Sequence, residues 1–243
     1  MSSLEPLVLL PGMNCSAALW SSLAVGPGQF ARLTESSLDA QVDRLLDELP
    51  EKFDLIGLSL GSIVALAVAR AAPERVTGLV LLAVNPHAPT AVQRSEWARQ
   101  RRELEAGRTA RQLQEALLPV LLSPASLTGR PDLVAQTLTM ADTVGADVLD
   151  RQLQLQASRV DQRPGLAEIS CPTMVIAADG DQLVSVHRHR ELHRLMAGSD
   201  LVVLPDCAHL STLEQPERIS ALINTWRSRP ALAPTLPLAT GGR

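Results

Sequence analysis

A serine with a glycine two residues away on either side, Gly57-Leu58-Ser59-Leu60-Gly61, stands between the apolar run Phe53–Leu58 and the alanine-rich apolar stretch Leu60–Ala71. The run reads as a buried strand and the stretch as a buried helix, so Ser59 falls on a sharp strand-to-helix turn. Small residues are needed two places before and two after such a turn, because the chain there passes close to itself. The helix beyond it aims its first N–H groups at negative charge developing on a carbonyl oxygen. The chemistry this spacing suits is attack of a hydroxyl on a carbonyl carbon. A plain glycine turn with an N-capping serine has the same five residues, and the flanking strand and helix are what favour the nucleophile.

A hydroxyl at neutral pH needs a base. His209 lies in Pro205-Asp206-Cys207-Ala208-His209-Leu210, directly after the apolar run Leu201–Leu204. A loop at the C-terminal edge of a parallel sheet opens on the crevice where such sheets place their sites. An imidazole there can take the serine proton and return it to the leaving group. It needs a carboxylate to fix its tautomer, and Ala178-Asp179-Gly180-Asp181-Gln182, after the run Thr173–Ala178, offers Asp179 and Asp181. The order Ser, Asp, His is the one expected when all three stand on successive strand-end loops. Leu10-Pro11-Gly12-Met13-Asn14 ends the first apolar run, and the amides of Met13 and Leu60 become the expected oxyanion donors. Other constellations carry less. His189 and His193 stand at helical i, i+4 spacing with His187 nearby, but Arg190 follows His189 where a zinc protease has glutamate. An arginine-rich solvated helix face is the better reading, and neither a metal nor a cofactor is expected. Cys207 has no turn to present it and reads as a packing residue.

Positioning these loops requires strands that are apolar on both faces and separated by helices, which means a parallel sheet covered on both sides. Leu7–Leu10, Phe53–Leu58, Thr77–Val84, Thr173–Ala178 and Leu201–Leu204 supply the strands. Ser36–Leu49, Leu60–Ala71, Ser185–Ala197 and a last segment with Pro216 in its first turn supply helices. Between Asn85 and about Gly165 the alternation stops. Four helical segments are expected there, Thr90–Ala106, Thr109–Leu122, Pro131–Val144 and Ala146–Val160, with breaks at Gly107, Pro119, Pro124, Gly129 and Gly145. The expected organisation is an α/β core of residues 1–84 and 165–228, an inserted helical lid of residues 85–164, and a disordered tail of residues 229–243. The 243 residues are 46% hydrophobic, enough for one large core, and the net charge of −4 draws the chain to neither nucleic acid nor anionic lipid. No basic leader and no spanning apolar stretch is visible, and Cys15, Cys171 and Cys207 are scattered. A cytoplasmic protein acting on a small molecule is expected.

With these residues in view, the chain resembles the α/β-hydrolase superfamily over residues 4–228. The resemblance rests on Leu9-Leu10-Pro11-Gly12-Met13-Asn14-Cys15 with Leu19-Trp20, on Phe53–Gly61 with Ala72-Pro73-Glu74-Arg75-Val76, and on His209–Glu217. The opening is similar to that of small bacterial hydrolases in which Pro-Gly replaces His-Gly. In that family the acid stands three residues after a glycine-like position closing the strand; Ala178 matches it, which selects Asp181. Ser62 replaces a frequent second glycine and Ala208 the glycine before the histidine. Only 46 positions separate Met13 from Ser59, so the resemblance implies about six mostly parallel strands without the family's N-terminal hairpin, and a short edge strand near Gln29–Leu33. It implies a serine hydrolase of esters or thioesters with a small apolar acyl group, working through an acyl-enzyme on Ser59, His209 and Asp181. Trp97, Met140 and Leu210 are the expected pocket residues. Relatives with the same triad run C–C hydrolysis, elimination or ring closure, and some members of the fold only bind ligands.

Overall fold

The structure, a computed structural model, describes residues 4–228, and the tail expected from residue 229 onward lies outside the described residues. Six strands form one sheet: β1 (Leu7–Leu10), β2 (Gly28–Phe30), β3 (Phe53–Leu58), β4 (Val76–Leu82), β5 (Thr173–Ala178) and β6 (Asp200–Leu204). Their spatial order is β2-β1-β3-β4-β5-β6 and every neighbouring pair is parallel. Among the described residues no strand precedes β1. The edge strand β2 stops at Phe30, short of Leu33. Ala31 makes the last ladder bond, its N–H to the Leu9 carbonyl, and the N–H groups of Thr34 and Glu35 turn instead to the Gln41 side chain.

Alternation along each strand builds two cores. Val8, Leu10, Leu55, Leu79, Leu81 and Val175 point to one face, against helices α1 (Leu38–Glu48) and α2 (Leu60–Ala71). Leu7, Leu9, Ile56, Leu58, Val80, Leu82 and Ile176 point to the other. There they meet Leu19 and Trp20 of a short 3₁₀ turn (Ala17–Trp20) and Ile219, Ile223 and Trp226 of the last helix. Each fully buried Leu or Ile contributes roughly 1.5–3 kcal/mol over its exposed state.

Between β4 and β5 the chain forms α3 (Ala91–Glu105), α4 (Ala110–Leu121), α5 (Pro124–Gly129) and α6 (Pro131–Ser158). Thr90 and Thr109 open α3 and α4 as reciprocal capping boxes with Gln93 and Gln112. Gly145, at φ 76° and ψ 168°, breaks α6 into the two expected segments. Pro119 does not break α4: it is exposed in the last turn, and Glu115, whose carbonyl it leaves without a helix partner, is exposed too. Pro124 and Gly129 are the ends of α5 rather than mere breaks, Pro124 taking the first helical position behind the Ser123 cap. Trp97, Leu113, Ala141, Leu149 and Leu153 give this layer a core of its own. After β5 come α7 (Val186–Leu195), β6, the single turn α8 (Ser211–Glu214) and α9 (Pro216–Arg227), which begins at Pro216.

Candidate active site

Ser59 sits at φ 54° and ψ −112°, a region that side-chain-bearing residues seldom enter. Its surroundings over-determine that conformation. Its N–H donates to the Leu82 carbonyl at 2.9 Å, and its carbonyl accepts the Ile63 N–H at 3.1 Å. The chain closes so tightly that a Cβ on Gly57 would stand 2.5 Å from Gly61 backbone, and one on Gly61 would stand 2.2 Å from the Leu10 carbonyl oxygen. Both glycines are therefore required by close approach, as the turn at Ser59 demands. Ser62 is put to use: its fully buried hydroxyl lies 2.6 Å from the Gly57 carbonyl and 2.8 Å from that of Leu82, bridging β3 and β4 at the base of the turn.

The other two strand-end loops meet. Nδ1 of His209 lies 2.8 Å from Oδ2 of Asp181, and both side chains are buried. Oδ1 of Asp181 accepts the N–H groups of Leu183 at 2.8 Å and Val184 at 2.9 Å. Burial by itself would raise the Asp181 pKa. The His209 charge and hydrogen bond, with the two backbone N–H groups, outweigh it and hold the carboxyl below its ordinary value. Asp179 is exposed and does not reach His209; its N–H continues the sheet to the Leu204 carbonyl. Gly180 lies between them with its N–H on the Cys207 carbonyl at 3.0 Å, and a Cβ there would approach that oxygen to 2.8 Å. The two loops are thus pinned together backbone to backbone.

Glu214 holds the histidine loop from the other side. Its carboxylate accepts the Ala208 N–H at 2.5 Å and the Ser123 N–H at 2.8 Å, while the Leu210 N–H reaches the Leu121 carbonyl at 3.0 Å. Ala208 replaces glycine at no backbone cost, since the described non-glycine residues with positive φ are Asn14, Ser59, Ala83 and Asp206. Cys207 is buried, and desolvation, aided by nearby carboxylates, pushes its thiol up to about 12, so it is inert.

The Pro11-Gly12-Met13-Asn14 loop is fixed by the helical layer. Asn14, at φ 57°, donates its backbone N–H to Gln152 Oε1 at 2.8 Å and its side-chain Nδ2 to the Ala110 carbonyl and Gln114 Oε1. Gln152 in turn donates to the Leu33 carbonyl at 2.9 Å. Sequence reading missed Asn14, Gln152 and Glu214 because their partners lie far along the chain and no local spacing announces them. Their type, two amides and one acid able to satisfy backbone groups, is the one available signal.

A cavity of about 300 Å³ lies between the strand ends and the helical layer. The strand-end loops contribute Gly12, Met13, Ser59, Asn85, Val184 and His209; α3, α4 and the end of α6 contribute Trp97, Gln114, Leu121, Gln156 and Arg159. Ser59, Met13 and His209 thus all line the cavity. Leu60 is fully buried as the first residue of α2, one of the positions whose N–H has no carbonyl behind it in the helix. Trp97 and Leu210 line the cavity, whereas Met140 does not: it is completely buried in the cluster with Leu121, Leu133 and Leu213, facing the core below the layer. His189 is a buried tie. Its Nε2 accepts the Val84 N–H and its Nδ1 donates to the Ser185 carbonyl, both at 3.0 Å. His193 bonds Ser199, and His187 is exposed.

Comparison with known proteins adds three findings. The sequence model of the alpha/beta hydrolase family matches residues 7–222. Among curated proteins, the chain is 27% identical to the pimeloyl-acyl-carrier-protein methyl ester esterase of Nitrosomonas europaea, over 87% of this chain and 91% of that one. It is 25% identical to the biotin biosynthesis bifunctional protein BioHC of Cellvibrio japonicus, over 90% of this chain but 47% of that relative. Among solved structures, the enol-lactonase of Burkholderia xenovorans superposes with a TM-score of 0.83 at 16% identity, covering 94% of this chain and 93% of the other, a likeness of fold.

Proposed function

The chain belongs to the alpha/beta hydrolase family, and we propose that it cleaves a carboxylic ester or thioester of a small acyl group through an acyl-enzyme on Ser59. The observation that carries this reading is the buried contact of 2.8 Å between His209 Nδ1 and Asp181 Oδ2, beside a cavity whose wall also holds Ser59 and Met13. With Nδ1–H directed at the carboxylate, Nε2 is the free basic nitrogen. It takes the Ser59 proton as Oγ attacks the carbonyl carbon. The tetrahedral oxyanion is held by the N–H groups of Leu60 and Met13, each such donor being worth about 10²–10³ in rate. Collapse breaks the bond to the alcohol or thiol, which leaves with the proton from His209. Water then attacks the acyl-enzyme with His209 again as base, and Asp181 orients the ring and offsets the imidazolium charge in both steps. No cofactor enters this sequence.

Helices α3–α6 act as a lid, residues 85–164, that shapes the acyl pocket over the core; the closure of its base by the Gln162 N–H on the Pro86 carbonyl, at 2.8 Å, supports that division. The mainly apolar lining supports a small, largely apolar acyl group bound without a membrane partner; among the described residues no helix is long and apolar enough to cross a bilayer. A relative named for methyl ester hydrolysis supports ester cleavage over C–C chemistry. A fluorophosphonate probe tests the nucleophile. Wild-type protein should be labelled on the peptide containing Ser59, and Ser59→Ala should be neither labelled nor active on p-nitrophenyl butyrate. Equal labelling of both proteins, or turnover surviving in Ser59→Ala, overturns the assignment.

A further inference from the structure

One cation in the cavity wall has no anionic partner among the described residues. Arg159, the residue that ends α6, is only 5% exposed and lines the cavity beside Gln156. Among the described residues it makes no hydrogen bond and no ion pair, and its Nε is sealed from solvent without an acceptor. Its guanidinium carbon stands 5.3 Å from the centre of the Trp97 ring, a contact that steadies the group but leaves its N–H fork unused. Desolvation pulls its pKa down to about 10, a measure of how poorly the protein alone accommodates this charge. The cavity wall holds one carboxylate, Glu96, and that is already bound by Arg99 at 2.9 Å and by Gln100 at 2.9 Å, so it neither neutralises Arg159 nor presents a free negative charge. A second lining donor, Gln114 Nε2, is also buried without an acceptor.

A buried, unpaired guanidinium is costly unless something else supplies the counter-charge. Its planar fork fits a carboxylate through two parallel hydrogen bonds, and a single positive charge matches a single negative one. In an acyl-transfer cycle the acyl part stays on the enzyme through both steps while the leaving group departs after the first. A contact in a closed wall is therefore most useful to the acyl part. A cavity of about 300 Å³ is at the small end for ligand sites, so the two functional groups must be close. We propose that the substrate is an ester whose acyl portion ends in a carboxylate, and that Arg159 is the specificity residue that receives it. This rests on the hydrolase reading above and narrows its substrate class to half-esters of short dicarboxylic acids.

The test pairs mono-p-nitrophenyl succinate, glutarate and adipate with neutral p-nitrophenyl esters in which an isopropyl group replaces the carboxylate. Wild-type protein should favour the anionic member at one chain length by about 10- to 100-fold in kcat/KM, mostly through KM, the size expected of charge-assisted hydrogen bonds. Arg159→Met should lose that preference, and Arg159→Lys should keep part of it. If the neutral ester wins at every chain length in wild-type protein, or if Arg159→Met lowers both members equally, the proposal fails even though ester hydrolysis stands. Binding of free glutarate, read as a rise in melting temperature, needs no turnover. A rise in wild type that Arg159→Met abolishes, in a protein that cleaves none of the esters, would sink the hydrolase reading and leave the carboxylate site in place. Should Arg159→Met fail to fold, the wild-type preference and Arg159→Lys still decide.

Discussion

Replacing Asp181 with asparagine keeps the side chain's shape and changes one atom's chemistry, and the hydrogen bonds around it set the cost. Oδ1 of Asp181 accepts two backbone N–H groups, from Leu183 and Val184, and Oδ2 faces His209 Nδ1 at 2.8 Å. An asparagine has one oxygen and one NH₂ group. Turning the NH₂ towards the backbone would leave donors facing donors, at about 1–3 kcal/mol for the buried Val184 N–H alone. The oxygen therefore stays on the backbone and the NH₂ confronts Nδ1. Nδ1 can meet it only as an acceptor, so the ring proton moves to Nε2, the nitrogen that receives the Ser59 proton in the proposed mechanism. The variant should fold normally with the wrong tautomer. Such a tautomer error in a Ser-His-Asp triad costs about 10⁴ in kcat, about 5 kcal/mol of barrier. Steady-state hydrolysis of p-nitrophenyl butyrate, with melting temperature as the folding control, measures it. Asp179→Asn is the comparison: Asp179 is exposed, and a surface change of that kind should alter kcat by less than about twofold. An Asp181→Asn protein within tenfold of wild type, or an equal loss in Asp179→Asn, would refute the reasoning.

Neighbouring groups give two more expectations. Glu214→Gln replaces one of the two acceptors that hold the Ala208 and Ser123 N–H groups with a donor, so the His209 loop should loosen. We expect kcat to fall about tenfold with KM nearly unchanged and stability to drop by about 1–3 kcal/mol; unaltered kcat would remove Glu214 from the positioning of His209. His189 is fully buried, and desolvation, only partly offset by its bond to Ser185, holds its pKa below the ordinary 6.5. The unfolded chain then takes up a proton that the folded one resists, so this stability is complete above about pH 6.5 and is lost as pH falls below it. Melting temperature should decline between about pH 7 and 5, before the carboxylates titrate; a flat profile there would contradict the buried neutral imidazole.

Much of the architecture was legible in local patterns. Continuous apolar runs announced strands buried on both faces, and Gly57 and Gly61 marked the turn at Ser59. These signals work because each reports a constraint set within a few residues: the pleat, or the absence of room for a Cβ. Pro119 misled because its exposed place in a last turn, not its identity, decides whether a helix survives it. Met140 misled because position within a helical insert does not say which side of a helix meets the cavity.

The chain by itself determined the order of the chemical groups, Ser59 after one strand, two aspartates after another and His209 after the last, and that order with the turn glycines was enough to specify the machinery to look for. Spacing alone left Asp179 and Asp181 open, since both come after the same strand, and only the family resemblance favoured Asp181. Tertiary structure decided it, turning Asp181 inward onto two backbone N–H groups and leaving Asp179 at the surface. The same holds for Asn14 clasping Gln114 and Gln152, for Glu214 spanning Ser123 and Ala208, and for the unpaired Arg159 in the cavity wall. Each depends on burial and on partners distant in the chain. Hydrogen-bond satisfaction and desolvation act between groups that only the folded chain brings together.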